Sequence, residues 1–198
     1  MGRPTRPPVS LVVPFLGERE EVVRLLAALG LLRTRTGDEL VIADNTAQGV
    51  VASVAGAPVQ VARATAERSS YHARNAGARM ASNDWLLFVD SDCVPASGLL
   101  DAYFAEPVSD RCGAVSGLIV GEPAQRGWLA RYARSRSFLR ADHGLLGRDA
   151  TPAGNVLVRR VAFEAVGGFE EGIRSGGDID LSRRLAAAGW VVEHRPAA

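Results

Sequence analysis

Short apolar segments alternate with helical patterns through the first half of the chain, and this alternation constrains the fold more than any other feature. Between the apolar runs, apolar residues recur at the spacing of a helix, which predicts helices there. Strands are predicted at residues 9–13, 39–43, 59–62 and 85–89, and helices at residues 20–32 and 70–81. Strands and helices in strict alternation predict an α/β fold, in which helices cover both faces of a parallel sheet.

The second half of the chain has a less regular pattern. Strands are predicted at residues 114–120, 155–158 and 190–195, and helices at 161–166 and 178–188. Residues 126–140 hold five arginines and no acid, and could contact phosphates, form an interface or simply be a solvated face. Residues 144–151 form a glycine-bearing loop, and the proline-rich residues 1–8 predict a flexible leader. Residues 9–198 suit a single domain.

The basic residues of the chain exclude several enzyme classes. All 23 are arginine, and the sequence contains no lysine. P-loop nucleotide sites, protein kinases and pyridoxal phosphate enzymes each need a lysine in their usual form. With 22 acidic residues the net charge is +1, so the chain has no global attraction to nucleic acid or to an anionic membrane.

Cysteine content and apolar segments bear on the compartment. Cys93 and Cys112 provide neither a disulfide framework nor a zinc knuckle, which indicates a reducing compartment. No apolar run is long enough for a signal peptide or for a membrane span of about 18 to 20 residues. We therefore expect a cytoplasmic chain without a transmembrane segment, and peripheral membrane contact stays open.

Two acids directly follow the apolar strand at residues 85–89. Asp90 and Asp92 are two residues apart, so on extended chain their carboxylates point to the same side. In an open α/β sheet the ligand crevice lies outside the carboxyl ends of the strands. Mg²⁺ or Mn²⁺ prefers one or two carboxylates together with substrate phosphates. These acids therefore predict a divalent metal site, although they could also only end the strand and cap the next turn.

A second acid with a possible chemical role lies in the predicted helix 178–188. Asp178 shares a helical stripe with Leu181 and Leu185, which should face the core. An acid at the mouth of a buried stripe is a candidate general base. The alternative is structural, since acids are favoured in the first turn of a helix and Ser175 with Asp178 resembles a capping box.

Three further residues allow both a functional and a structural interpretation. Asp44 ends the second strand, where it could accept a hydrogen bond from a base or a ribose, or only form a turn. Arg74 lies in the predicted helix that precedes the strand at residues 85–89. It could reach a diphosphate, or it could be solvated. Asp180 precedes Arg183 and Arg184 by three and four residues, which predicts ordinary surface ion pairs.

Together these segments resemble the family-2 glycosyltransferases, which have the GT-A nucleotide-sugar-binding fold. The resemblance spans nearly the whole chain and rests on the segments VSLVVPF, IADN, ARNAGARMASNDWLLFVDSDCVP and GNVLVRRVAFEAVGGFEEGIRSGGDIDLSRRLAAAGW. It implies a mixed, mainly parallel sheet flanked by helices. It also implies a nucleotide-sugar-binding half at residues 9–95 and an acceptor-side half at residues 96–198.

The resemblance also implies roles for the candidate residues. Asp90 and Asp92 would hold Mn²⁺ or Mg²⁺ on the diphosphate of a nucleotide-sugar, with Asp92 favoured as the direct ligand. Asp178 would take the proton from an acceptor hydroxyl, and transfer would invert the anomeric carbon. A UDP-sugar is the first choice of donor, and the acceptor would be a carbohydrate, a lipid-linked molecule or a small molecule. The residues implied for nucleotide-sugar binding are Pro14, Phe15, Asp44, Arg74 and Asp90.

The chain departs from the family pattern near its C-terminus. The pair before the last helix is usually Glu-Asp, and here it is Gly177-Asp178. The family's histidine after the last strand would lie beyond Ala198, so we expect a C-terminally incomplete catalytic domain whose third metal ligand lies outside this sequence. Both departures favour the main alternative, a non-catalytic or incomplete nucleotide-sugar-binding domain. A nucleotidylyltransferase is disfavoured because no glycine-rich loop or lysine follows Val13.

Overall fold

A computed structural model of the chain describes residues 6–121 and 152–198. The strands of this part form one seven-stranded sheet in the order β3-β2-β1-β4-β6-β5-β7. The strands are β1 (Ser10–Phe15), β2 (Glu39–Asp44), β3 (Val59–Arg63), β4 (Trp85–Val89), β5 (Cys112–Gly117), β6 (Asn155–Arg159) and β7 (Val191–Arg195). The predicted strands are thus present, although β5 begins and ends earlier than the predicted range 114–120.

Helices connect the strands, as the alternating pattern predicts. They are α1 (Arg19–Leu29), α2 (Ser70–Met80), α3 (Leu99–Ala102), α4 (Arg160–Ala165) and α5 (Gly177–Ala187). A 3₁₀ turn at Val51–Ser53 and the single-turn helix α3 are additions that the sequence pattern does not predict. None of the described helices has the length and apolar content that a membrane span requires.

The sheet is mixed and mainly parallel, which confirms the predicted α/β fold with helices beside the sheet. Strands β3, β2, β1 and β4 run parallel to one another, and β6 is antiparallel to both of its neighbours, β4 and β5. Strand β7 is parallel to β5. Because β4 pairs with β1 on one side and β6 on the other, the two halves of the chain share one continuous sheet.

Apolar side chains cover both faces of the sheet. Successive residues of a strand point to opposite faces. Accordingly, Val12 and Phe88 belong to one buried cluster, whereas Val13 and Leu87 belong to the other. Helices α2 and α5 contribute to the first cluster and α1 to the second. The sheet is therefore enclosed, and the loops at its edge are left to form a binding site.

Helix α2 packs against β1 and β2 and is largely buried. Eight consecutive residues, 71–78, are buried. The Ser69 hydroxyl accepts hydrogen bonds from the backbone N–H groups of Tyr71 and His72 and so caps the helix. Gly77 permits the close approach, since a Cβ there would lie 2.4 Å from Cγ1 of Val12. This contact fixes the position of the residues earlier in α2 that face the cleft.

Two local predictions need correction. Arg6 belongs to the predicted flexible leader 1–8, yet its buried guanidinium pairs with Asp38 at 2.6 Å and with Asp101 at 3.0 Å, so this residue is part of the folded domain. Helix α5 is not capped by Ser175, because its N-cap residue is Gly176 in a left-handed conformation with φ of 81°. The predicted basic segment 126–140 and loop 144–151 lie outside the described residues.

Candidate active site

A cleft of about 810 Å³ lies beside the carboxyl end of β4. It contains four of the residues that the sequence analysis selects: Arg74, Asp90, Asp92 and Asp178. The remaining walls come from the loop after β4, the segment after β5, the start of β6 and the residues that follow β7. Pro14, Phe15 and Asp44 do not line this cleft. The four candidate residues thus come from three separate parts of the sequence and meet at one edge of the sheet, as expected for a ligand site in an open α/β fold.

Asp90 and Arg74 form an ion pair in the wall of the cleft. A terminal nitrogen of Arg74, Nη2, donates a hydrogen bond to Oδ1 of Asp90. The Arg74 side chain is only 5% exposed, whereas that of Asp90 is 41% exposed. The guanidinium carbon lies 5.8 Å from the ring centre of Tyr71 and 5.6 Å from that of Phe169, within cation–π distance. Arg74 is thus not the solvated surface residue that the alternative interpretation allows.

Arg74 has one hydrogen-bond donor, its Nε–H group, that is not satisfied by the described residues. The atom is buried and has no hydrogen-bond partner among the described residues. A buried donor without a partner costs about 1–3 kcal/mol. Because Arg74 lines the cleft, a ligand oxygen there is one candidate for the missing acceptor.

The residues after β4 fit a divalent cation. Asp92 is exposed in the cleft, and it forms no hydrogen bond or ion pair within residues 6–121 and 152–198. Asp90 keeps a partly exposed carboxylate beside it. Mg²⁺ and Mn²⁺ prefer such hard oxygen ligands and complete their shells with water and phosphate oxygens. Asp90 and Asp92 do not meet a third acid, histidine or cysteine within 4.8 Å in the described part of the chain.

Cys93 follows this pair of acids and is half-buried in the cleft wall. Burial, together with the negative charges of Asp90 and Asp92, raises the pKa of the Cys93 thiol to about 11. The side chain therefore stays a protonated thiol near neutral pH, and a thiolate is the reactive form of cysteine. Cys93 packs against one of the two buried apolar clusters.

Asp178 is the second residue of α5 and points its half-buried side chain into the cleft. Leu181 and Leu185 lie below it in the core, which confirms the predicted buried stripe. Oδ1 of Asp178 accepts a hydrogen bond of 3.0 Å from the backbone N–H of Ile179, and the other carboxylate oxygen forms no hydrogen bond within residues 6–121 and 152–198. The carboxylate is accordingly positioned to interact with a ligand.

Asp180 differs from Asp178 in the way the helical phase predicts. Its Oδ2 lies 2.6 Å from Nη2 of Arg184, an ion pair between residues four apart on the helix. Such a pair stabilises a helix by only a few tenths of a kcal/mol. The structural interpretation of Asp180 is therefore confirmed.

Asp44 ends β2 as predicted, but its carboxylate is fully buried. Oδ1 accepts hydrogen bonds from the N–H and the hydroxyl of Thr46, and Oδ2 accepts from the N–H of Val51 and from Nη1 of Arg63. These bonds hold the loop after β2. Phe15 and Pro14 are also buried, and the carbonyl of Phe15 accepts a hydrogen bond from the N–H of Asn45.

A network of residues that the sequence analysis gave no role ties α2 to the segment before α5. Asn75 donates to the carbonyl of Phe169 and accepts from its N–H, and it also donates to Glu171. Glu171 lies 2.8 Å from Nδ1 of His72, and the hydroxyl of Tyr71 accepts a hydrogen bond from the N–H of Gly177. An asparagine within the alanine-rich run of α2 was the one signal in the sequence that pointed to this network.

Comparison of the sequence with known proteins identifies the family of this chain. The model of glycosyl transferase family 2 matches residues 10–167. The pre-mycofactocin glycosyltransferase of Mycobacterium tuberculosis is 27% identical over 204 residues, which cover 98% of this chain and 42% of that protein. Glycosyltransferase AglE of Haloferax volcanii is 25% identical over 193 residues, which cover 94% of this chain and 64% of AglE. The chain thus spans less than two thirds of the length of either relative.

Solved structures share the fold. The mannosyltransferase PcManGT from Pyrobaculum calidifontis, in complex with GDP-Man and Mn²⁺, superimposes with a TM-score of 0.74 at 19% identity, over 98% of this chain and 56% of that chain. Residues 1–349 of S. aureus TarS in complex with UDP-GlcNAc superimpose with a TM-score of 0.67 at 18% identity, over 94% and 55% of the two chains. The chain therefore has the GT-A fold and belongs to glycosyl transferase family 2.

Proposed function

We propose that this chain transfers a sugar from a nucleotide-diphospho-sugar to an acceptor hydroxyl, with inversion at the anomeric carbon. The observation that supports this most directly is the convergence of Arg74, Asp90, Asp92 and Asp178 on one cleft. Family membership supports the reaction class. The complexes of PcManGT with GDP-Man and Mn²⁺ and of TarS with UDP-GlcNAc support a nucleotide-sugar donor and a divalent cation.

Asp92 and Asp90 would hold Mn²⁺ or Mg²⁺, with Asp92 as the direct ligand because no protein group competes for it in the described part of the chain. When bound, such a cation neutralises the charge that develops on a departing diphosphate. Arg74, which pairs with Asp90, would supply a second positive charge, through the Nε donor that has no partner among the described residues. An arginine can do this where other enzymes use a lysine, which this chain does not contain.

Asp178 would act as the general base. Its carboxylate accepts the proton of the acceptor hydroxyl while the acceptor oxygen attacks the anomeric carbon and the bond from that carbon to the diphosphate oxygen breaks. The nucleoside diphosphate leaves from the opposite face, so a single displacement inverts the configuration. The position of Asp178 in the same cleft as Asp90 and Asp92 supports this assignment, because the base and the groups that hold the diphosphate must reach the same donor sugar.

We propose that the donor nucleoside binds at the ends of β1 and β2, near Pro14, Phe15 and Asp44. Asp44 would contribute through the loop that it holds, because its carboxylate is already occupied by four donors. A UDP-sugar is the first candidate. The acceptor would be a carbohydrate, a lipid-linked molecule or a small molecule, and the domain would work in the cytoplasm or at a membrane surface.

Nucleotide release from UDP-glucose, UDP-N-acetylglucosamine, UDP-galactose and GDP-mannose tests the proposal, with and without Mn²⁺. We expect Asp92→Ala and Asp178→Asn each to lower the rate at least about a hundredfold. Asp178→Asn should keep donor binding, measured by calorimetry, within about twofold. Asp180→Asn is the matched control, because it changes an acid two residues away that forms only a surface pair. Full turnover by Asp178→Asn would rule out Asp178 as the base.

A second candidate function is nucleotide-sugar binding without catalysis. Gly177 favours it, because the family usually has an acid at this position. Donor binding in calorimetry without nucleotide release, for every donor and metal tested, would support this alternative.

A further inference from the structure

Gly177 stands where the family usually has an acidic residue, and the structure contains a side chain that occupies its place. A Cβ at Gly177 would lie 2.7 Å from two ring carbons of Tyr71 and 2.9 Å from a third. No side chain fits at position 177 while Tyr71 holds this conformation. The space beside Asp178 is therefore filled by a residue that lies 106 positions earlier in the sequence.

The hydroxyl of Tyr71 also replaces a helix cap. Helix α5 has no side-chain cap of its own, because its N-cap residue is a glycine. The Tyr71 oxygen accepts a hydrogen bond of 3.0 Å from the N–H of Gly177, the first residue of α5. An uncapped helix end leaves its first N–H groups without partners. Tyr71 satisfies one of them, directly before Asp178.

The ring of Tyr71 is itself rigidly held. It stacks on Phe169 with ring centres 5.8 Å apart and an angle of 24° between the planes. It also lies within cation–π distance of Arg74, which pairs with Asp90. One side chain thus contacts the arginine of the donor side and the helix start that carries the candidate base.

We propose that Tyr71 is a positioning residue that fixes Asp178 relative to the Arg74–Asp90 pair and takes over the place of the missing acid at position 177. This inference rests on the proposed function, because it assigns Tyr71 to the transfer reaction. The role is specific to the hydroxyl and the ring together: the hydroxyl holds the N–H of Gly177, and the ring excludes a side chain there. The proposal predicts that a carboxylate at position 177 can replace the Tyr71 side chain once the ring is absent.

Tyr71→Phe tests the role of the hydroxyl, because it keeps the ring and its packing. We expect kcat for nucleotide release to fall about tenfold, since small displacements of a catalytic group cost rate steeply. The KM for the nucleotide-sugar should stay within about twofold. Amide hydrogen exchange of Gly177, followed by NMR, should become about tenfold faster. Tyr103→Phe is the matched control, because it removes another buried hydroxyl, which donates a 2.7 Å hydrogen bond to Asn155, in the apolar cluster that does not include α5.

Combined substitutions at positions 71 and 177 provide a second test. Tyr71→Ser should lose activity, and Tyr71→Ser combined with Gly177→Glu should recover at least about threefold of it, because the acid then has room beside Asp178. Gly177→Glu alone should be the least stable of the three variants.

The outcomes separate this inference from the proposed function. If wild type releases nucleotide and Tyr71→Phe matches it in kcat, or if Gly177 exchange is unchanged in Tyr71→Phe, Tyr71 is not a positioning residue. If wild type releases no nucleotide from any donor, the proposed function itself fails. Faster Gly177 exchange together with a lower kcat and an unchanged KM supports the inference.

Discussion

The carboxylate of Asp44 accepts four hydrogen bonds, and no part of the residue reaches solvent. Three of the donors belong to Thr46 and Val51, in the loop that follows β2. A buried acid in such surroundings organises the local backbone. A direct contact between Asp44 and a nucleoside would require the hydrogen bond from Arg63 to Oδ2 of Asp44 to break. Asp44 thus shows that an acid at the end of a strand can bind a ligand only if hydrogen-bond donors of the protein do not already occupy its carboxylate.

Asp44→Ala should lower the free energy of unfolding by about 3 kcal/mol, because it leaves buried donors without partners. Asp110→Ala removes an exposed acid and should change it by less than about 0.5 kcal/mol. Urea denaturation measures both. A change below about 1 kcal/mol for Asp44→Ala would contradict the structural role and would favour a ligand contact instead.

Tyr71 and Asp178 illustrate which candidate site residues the sequence can predict. Asp90, Asp92 and Asp178 are accessible to prediction because each follows or begins an element with a clear apolar pattern. The role of Tyr71 depends on a contact with Gly177 across 106 positions, for which no local pattern exists. Asp44 was placed correctly at the end of its strand, but its partners come from residues 46, 51 and 63 and could not be counted in advance.

At the scale of elements, the packing of α2 on β1 depends on Gly77. Helices favour alanine over glycine by about 1 kcal/mol, so a glycine within α2 has to be explained by its surroundings. A Cβ at this position would lie 2.4 Å from Cγ1 of the buried Val12, so either the helix or the valine would have to move. The helix can approach the strand only because this position has no side chain.

Gly77→Ala should therefore lower the free energy of unfolding by about 1–3 kcal/mol despite the better helix propensity. Val12→Ala removes the clashing methyl group, so the double variant should be more stable than the sum of the two single changes predicts. Gly56→Ala is the control, since no atom lies within 4 Å of a Cβ there. Thermal denaturation of the four variants measures the coupling, and additive effects would contradict the packing argument.

Element boundaries were predicted less well than element types, and the reasons are specific. Strand β5 begins at Cys112, two residues before the predicted start, because the bulged pairing with β7 joins Cys112 to Val191. It ends at Gly117, after which the N–H of Leu118 donates to the carbonyl of Ala198 instead of to a strand. Such boundaries depend on partners that lie far away in the sequence, whereas the apolar pattern that defines a strand is local.

At the scale of the whole molecule, several carboxylates link distant segments and have lowered pKa values. Hydrogen bonds from Asn75 and His72 lower the pKa of Glu171. Burial alone would raise the pKa of Asp38, but Arg6 and the N–H groups of Arg35 and Val9 lower it overall. A carboxylate whose pKa is lower in the folded state stabilises the fold above its unfolded pKa, near 4, and this contribution is lost as the pH falls through the folded pKa.

The free energy of unfolding should therefore decrease as the pH is lowered from about 5 to about 3. Glu171→Gln removes one of the titrating groups, so the decrease should be shallower for this variant than for wild type. Glu106→Gln, at an exposed position, serves as the control and should leave the slope unchanged. Urea denaturation at each pH gives the slopes. An identical acid slope for wild type and Glu171→Gln would contradict the assigned role of Glu171.

The connection between β5 and β6 leaves the sheet at one side of the cleft and returns there, since Gly121 and Pro152 both line it. The two strands are antiparallel neighbours with their own backbone ladder, so their pairing does not depend on the length of chain between them. Lengthening a loop costs little free energy, about 0.6 kcal/mol for each doubling. A change in the length of this connection should therefore leave the pairing of β5 with β6, and the carboxylates of Asp90 and Asp92 after β4, where they are.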